Sequence, residues 1–182
     1  IINMNLNSGL GDVMLPKNNV IRTDGTEGIA GTKHCNGRDY WIMTRKSAQD
    51  TLMFYAYLVT PTGINSPVVT KIAHVIAANV TVDHLTFSQN GNTMVFSAMG
   101  HPLFLFTFNK STGQLALNST IPNISGEYFY STALSPDATK LYVTGWKNFD
   151  YNRILQYDLS AANIPASRTG LDSVVFNGSN TG

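Results

Sequence analysis

Charge is scarce in this chain. Only 13% of its 182 residues are Asp, Glu, Lys or Arg, and 12 basic against 11 acidic side chains leave a formal charge of +1. So even a balance offers no field to hold a polyanion, which argues against nucleic acid and against an anionic membrane as partners. Cysteine is nearly absent as well. Cys35 stands alone, which rules out an internal disulfide framework and leaves the compartment open. Long apolar runs are missing too, because Thr, Asn or Gly breaks each one within a few positions. A bilayer span needs ~20 such residues, so no membrane insertion is expected.

Recognisable site patterns are equally sparse. His34, His74, His84 and His101 are scattered without paired-ligand spacing, and no D-x-D-x-D run occurs, so neither a zinc nor a calcium site is expected. Gly9-Leu10-Gly11-Asp12 lacks the Lys-Ser/Thr that a phosphate loop needs, and the sequence supplies no helix after it. No catalytic constellation and no cofactor are read from the chain. It starts at Ile1 without Met and stops at Gly182 without a terminal motif, and it is expected to be a fragment of a longer polypeptide.

What is present is a mixture suited to short strands and turns: 43% apolar residues, with the polar load carried by Asn, Ser, Thr and Gly. Laid against itself, the chain repeats. Leu85-Thr86-Phe87-Ser88-Gln89-Asn90-Gly91-Asn92-Thr93-Met94-Val95-Phe96 matches Thr132-Ala133-Leu134-Ser135-Pro136-Asp137-Ala138-Thr139-Lys140-Leu141-Tyr142-Val143, with Ser135 standing 47 residues after Ser88. Each unit is a strand, a four-residue turn and a second strand. A third strand follows at Leu103–Asn109 and at Arg153–Leu159.

An earlier unit uses Gly37–Met43 and Phe54–Thr60, and fourth strands are expected at Val68–Ile72, Leu115–Asn118 and around Ser167-Arg168-Thr169. Ile2–Gly9 reads as a third strand with its turn, and Asn19–Thr23 as an outer strand. Ser160–Ile164 has room for one helical turn ended by Pro165.

Four-stranded units at a period of about 45 to 50 residues are blade-sized. The expected fold is therefore all-β: a β-propeller fragment of about three to four four-stranded antiparallel blades. Residues 1–30 form the end of one blade, and 31–78, 79–125 and 126–182 form three more. Tyr40, Trp41, Phe87, Phe96, Leu134 and Tyr142 are expected between blades, and a part-ring leaves one blade face wet. A plain antiparallel sandwich is the competing architecture, but it does not account for the repeat.

Several residues invite a chemical reading. His34-Cys35 has the composition of a base and a nucleophile, yet neighbours on an extended strand point to opposite faces, so Cys35 is read as a small buried packing residue. Asn36-Gly37-Arg38-Asp39 is a tight-turn signature, with Arg38 and Asp39 as candidate ligand-binding residues at a ring surface. The aromatic run Trp146–Asn152 joins a second strand to a third, and Trp146 and Tyr151 are the other candidates, suited to gripping a sugar ring or to covering a sheet edge.

Ser135-Pro136-Asp137-Ala138-Thr139-Lys140-Leu141-Tyr142-Val143-Thr144-Gly145 resembles the S-P-D-G-x-x-L-Y-V-T-N repeat of bacterial surface-layer and lactonase-like propellers. Ala138 stands where that repeat has Gly, which suggests a turn that avoids the left-handed region. Leu6–Val13, His34–Trp41 and Ala56–Asn65 together resemble the propeller region of large secreted Bacteroidota proteins of the gliding-motility-associated, type IX secretion sorted kind. The resemblance implies an extracellular or cell-surface location. It also implies candidate O-glycosylation at Thr51 in Asp50-Thr51-Leu52 and Ser173 in Asp172-Ser173-Val174.

The reading that follows is a non-enzymatic extracellular binding or scaffold module of a large protein. Its expected partners are the remaining blades of its own precursor, or another chain covering its open edges, together with a surface glycan or protein and the type IX secretion machinery. One alternative is a lactonase- or glycan-lyase-like propeller enzyme whose site is completed by blades outside the chain. Another is a component of a secretion or motility assembly. An enzyme gathers several ionisable side chains at one channel mouth, whereas a binding module spreads aromatics and amides over a loop face.

Overall fold

The computed structural model describes residues 2–15, 17, 19–46, 51–74, 80–147 and 151–175, with the backbone alone at Tyr151 and at 173–175. A short hairpin of β1 (Ile2–Asn3) and β2 (Asp12–Val13) comes first. Three larger antiparallel sheets follow in sequence. The first contains β3 (Gly25–Lys33), β4 (Tyr40–Lys46), β5 (Leu52–Thr60), β6 (Gly63–Ile64) and β7 (Val68–Ile72), with both β6 and β7 paired to β5. The second runs β8 (Asp83–Phe87), β9 (Thr93–Ala98), β10 (Leu103–Asn109), β11 (Gln114–Ile121), and the third β12 (Glu127–Leu134), β13 (Lys140–Lys147), β14 (Tyr151–Asp158), β15 (Thr169–Val175). The second and third sheets are meanders of consecutive antiparallel strands, and in the first β6 and β7 pair in turn with β5.

One turn recurs three times, and it explains the repeat. Ser88 N–H donates to the Thr93 carbonyl and Ser135 N–H to that of Lys140, and His34 N–H does the same to Asp39. Two residues on, Asn90 accepts the Asn92 N–H, Asp137 the Thr139 N–H, and Asn36 the N–H groups of Arg38 and Asp39. The next residue takes a positive φ: +71° at Gly37, +73° at Gly91 and +58° at Ala138. The expectation that Ala138 avoids the left-handed region is therefore corrected. Its Cβ strain of about 1 kcal/mol is offset by Asp137, which also accepts from the Ser135 and Thr139 hydroxyls.

Alternation places the cores. Trp41, Met43, Phe54 and Ala56 of the first sheet pack on Leu85, Met94, Phe96, Phe104, Phe106 and Phe108 of the second. Phe54 lies edge-on to Phe96 at 5.4 Å and Phe106 at 5.2 Å, a favoured ring geometry. On the opposite face of the second sheet, Val95, Leu103, Leu105 and Ile121 pack on Phe129, Leu141, Val143, Leu155 and Tyr157 of the third. The innermost strands touch across both seams. Arg45 Nε meets Asp83 at 2.5 Å with both side chains buried, while the other Asp83 oxygen accepts the Gly28 N–H at 2.6 Å. A Cβ on Gly28 would lie 2.2 Å from that oxygen. Thr86 Oγ1 bonds the carbonyl and hydroxyl of Thr132 across the second seam.

The structure departs from the sequence reading at the periphery. Residues 19–23 form no strand, and Ile2–Gly9 gives a two-residue strand followed by a 3-10 turn at Asn7–Gly9. Among the described residues, β1 and β2 pair only with each other. Ser160–Ile164 is not helical; the 3-10 turn is Pro165–Ser167, because Pro is favoured at the first helical position. The last strand begins at Thr169 instead of Ser167. Trp41 and Phe96 lie in the core, and Phe87 and Leu134 pack against it. Tyr40 is exposed and Tyr142 half-buried, since each points to the other face of its strand.

Two outer faces are uncovered. The first sheet exposes Ile29 and Ile64, and the third exposes Tyr130 and Ile154. No helix among the described residues is long and apolar enough to cross a membrane.

Breaking the buried ion pair with Asp83→Ala should lower stability to urea by about 3 kcal/mol, because Arg45 is left buried and uncompensated. Arg45→Met with Asp83→Leu should recover most of the loss. Ala138→Gly should raise stability by up to about 1 kcal/mol. His84 predicts a pH effect. Burial depresses its pKa, and its Nδ1 faces the Thr132 N–H and the Thr86 hydroxyl. The unfolded chain therefore binds the extra proton, so stability held above the ordinary His pKa of about 6.5 is lost as pH falls through it. Thermal melts between pH 8 and 5 should show this slope, flattened in His84→Gln.

Candidate functional site

The sequence candidates do not converge. Arg38 and Asp39 meet on the first repeated turn, where Arg38 Nε donates to Asp39 Oδ1 at 3.0 Å and Asn36 Nδ2 to Oδ2 at 2.8 Å. The Arg38 and Asn36 hydrogen bonds hold the Asp39 pKa below the usual carboxylate value. Both oxygens of this buried carboxylate serve the turn, and the Arg38 side chain is 70% exposed. Cys35 is also exposed, against the expectation of a packing residue. Its Sγ lies 3.8 Å from His34 Nδ1, because the pair sits at a turn and not on an extended strand.

Trp146 belongs to the third sheet, on its uncovered face. Its ring lies 6.2 Å from Tyr128, nearly parallel, and 5.9 Å from Tyr130. Trp146 and Tyr130, with Thr144, Asn152, Ile154 and Asp172, line a shallow cavity of about 370 Å³. The side chain of Tyr151 and residues 148–150 lie outside the described residues, as does the side chain of Ser173. Thr51 is half-buried just before β5.

The strongest convergence of ionisable groups was not anticipated. Glu127, the first residue of β12, is buried, with its side chain only 3% exposed. One oxygen, Oε1, accepts from Arg153 Nη1 at 2.9 Å and from Arg168 Nη2. The other, Oε2, is buried with no hydrogen-bond partner among the described residues. Glu127, Arg153 and Arg168 border a cavity of about 660 Å³ with Lys147, Asp172, Ile124 and Leu171.

β12 supplies the acid, β14 the first arginine, and the segment leading into β15 the second. The hairpin register of the third sheet brings Glu127 opposite Lys147, and Lys147 opposite Tyr151. No linear motif links residues 127, 147, 153 and 168. The one available signal is rarity, since Glu127 is one of only two glutamates in the chain, at a strand start where burial demands a partner. Among the described residues no group of three or more His, Cys, Asp or Glu is placed to hold a metal ion.

No family profile matches the chain, and no curated protein does. Solved structures do. The periplasmic gluconolactonase of Pseudomonas aeruginosa superposes with a TM-score of 0.54 at 18% identity, over 80% of this chain and 39% of that one. A candidate 6-phosphogluconolactonase from Bacteroides uniformis gives 0.51 at 20% identity, over 80% and 40%. The β-propeller domain of Myceliophteria thermophila Cps50 (Swd1) gives 0.51 at 12% identity, over 83% and 41%. The chain spans about two fifths of these proteins. At such identities the likeness establishes the propeller fold. The expectation that the chain is not an enzyme is overturned by the lactonases named among these structures, and the ionisable cluster is of the kind that reading lacked.

Replacing Glu127 with Gln should destabilise the third sheet by about 3 kcal/mol, since two guanidinium groups lose their shared counter-charge. Urea unfolding followed by tryptophan fluorescence measures it.

Proposed function

We propose that the chain is part of a propeller enzyme that hydrolyses a carbohydrate lactone, with further four-stranded sheets of the same protein completing the ring. The observation that carries this reading is the gathering of Glu127, Arg153, Arg168 and Lys147 around one cavity on a scaffold shared with named lactonases. In the reaction, water adds to the lactone carbonyl and the ring C–O bond breaks. The ring oxygen leaves as a hydroxyl, and the acid formed releases a proton. Negative charge develops on the carbonyl oxygen, and Arg153, partly exposed at the cavity and oriented by Glu127, is the group suited to stabilise it.

The uncovered faces of the first and third sheets support the completed ring. Trp41 and Met43 of the first sheet and Val95 and Ser97 of the second are buried by the sheet that follows. Tyr142, Thr144 and Trp146 hold the corresponding positions in the third, so a following sheet would cover them. The resemblance to secreted Bacteroidota propellers supports an extracellular or cell-surface location, and sequencing the precursor for a type IX sorting domain checks it.

The full-length protein, given δ-gluconolactone in a pH-stat, should release protons faster than buffer alone. Arg153→Gln should cut that rate by about a hundredfold, the usual cost of losing one oxyanion donor. No rate above buffer from a correctly folded full-length protein would refute the reading.

A further inference from the structure

We infer that the Glu127 cavity binds a singly charged polyhydroxy acid, the ring-opened product of a lactone, through Lys147. The identity of the ligand rests on the lactone reading; the charge preference does not. The cavity is bordered by three cations, Lys147, Arg153 and Arg168, and two carboxylates, Glu127 and Asp172. Both guanidinium groups bond one oxygen of Glu127. Lys147 is half-buried and has no carboxylate partner among the described residues. Three cations against two carboxylates leave the cavity an excess of one positive charge, which matches one carboxylate, and Lys147 is the cation there that no carboxylate pairs among the described residues.

The acceptors indicate the remainder of the ligand. A carboxylate held by two arginines through one oxygen, with its second oxygen buried and unpartnered, leaves a strong acceptor without a donor. A hydroxyl entering from the cavity supplies one. Asp172 is exposed on the same wall. A neutral sugar would leave Lys147 unmatched. Doubly charged hydrogen phosphate would exceed the single available charge and bring one hydroxyl donor where a polyhydroxy acid brings several.

Calorimetric titration of the full-length protein at low salt tests the assignment with gluconate, sorbitol and inorganic phosphate. Gluconate should bind, with sorbitol and phosphate each at least about tenfold weaker, the usual scale of one charged hydrogen bond. Lys147→Gln should weaken gluconate about tenfold without shifting the melting temperature, and Lys147→Arg should restore most of the affinity. Sorbitol or phosphate binding as tightly as gluconate would overturn the inference, as would a Lys147→Gln protein of unchanged affinity. Lactone hydrolysis without gluconate binding would defeat this inference alone. Lysine-dependent gluconate binding without hydrolysis would uphold it and defeat the catalytic reading.

Discussion

The second sheet is apolar on both faces, and the rest of the molecule is arranged around that fact. Met94, Phe96 and Ala98 point one way and Val95 the other, all fully buried. A strand with no polar face has no stable place at a surface, so a sheet must cover it on each side. The first and third sheets do so. The result is a stack of three sheets with two buried seams and not a two-layer sandwich.

Apolar faces alone would let sheets slide, and the polar contacts across the seams fix their register. Arg45 and Asp83 form a buried pair whose remaining groups bond Val80 and Gly28 backbone atoms. A pair of this kind yields little net stability against a well-packed apolar substitute, but it penalises every misaligned arrangement that leaves either charge unpaired. The second seam uses neutral groups: Thr86 to Thr132, and Ser97 to the Tyr130 carbonyl at 2.8 Å. Charge is spent at one seam and withheld from the other, in keeping with the small number of ionisable residues in the chain.

The third sheet departs from that economy. Two of the five arginines in the chain converge on one glutamate, and a lysine and an aspartate border the same cavity. Such a concentration stands out in a chain that is 13% charged; Lys140 and Asp158 join the other end of the same strands with one half-buried pair. That pair, with the Ser160 hydroxyl and N–H, lowers the Asp158 pKa to about 2. The contrast is between one ion pair at one end of the strands and a group gathered on a buried carboxylate at the other.

The amino-acid sequence by itself determined the strands and the turn that joins them. The continuous apolar run at 94–96, the alternation at 140–147 and the Asn, Asp and Gly of the turns act over a few residues, through local sterics and side-chain-to-backbone hydrogen bonds. The first copy was harder to see, because His34 and Asn36 take the places held elsewhere by Ser and by Asn or Asp. Only the tertiary structure decided what lies between strands distant in sequence. The proximity of Cys35 to His34 depends on a turn in place of an extended strand, and the exposure of Tyr40 on which face meets the second sheet. Glu127, Arg153 and Arg168 meet because hairpin register sums offsets that no spacing rule records, and a side chain acquires its partner only when the sheet has closed.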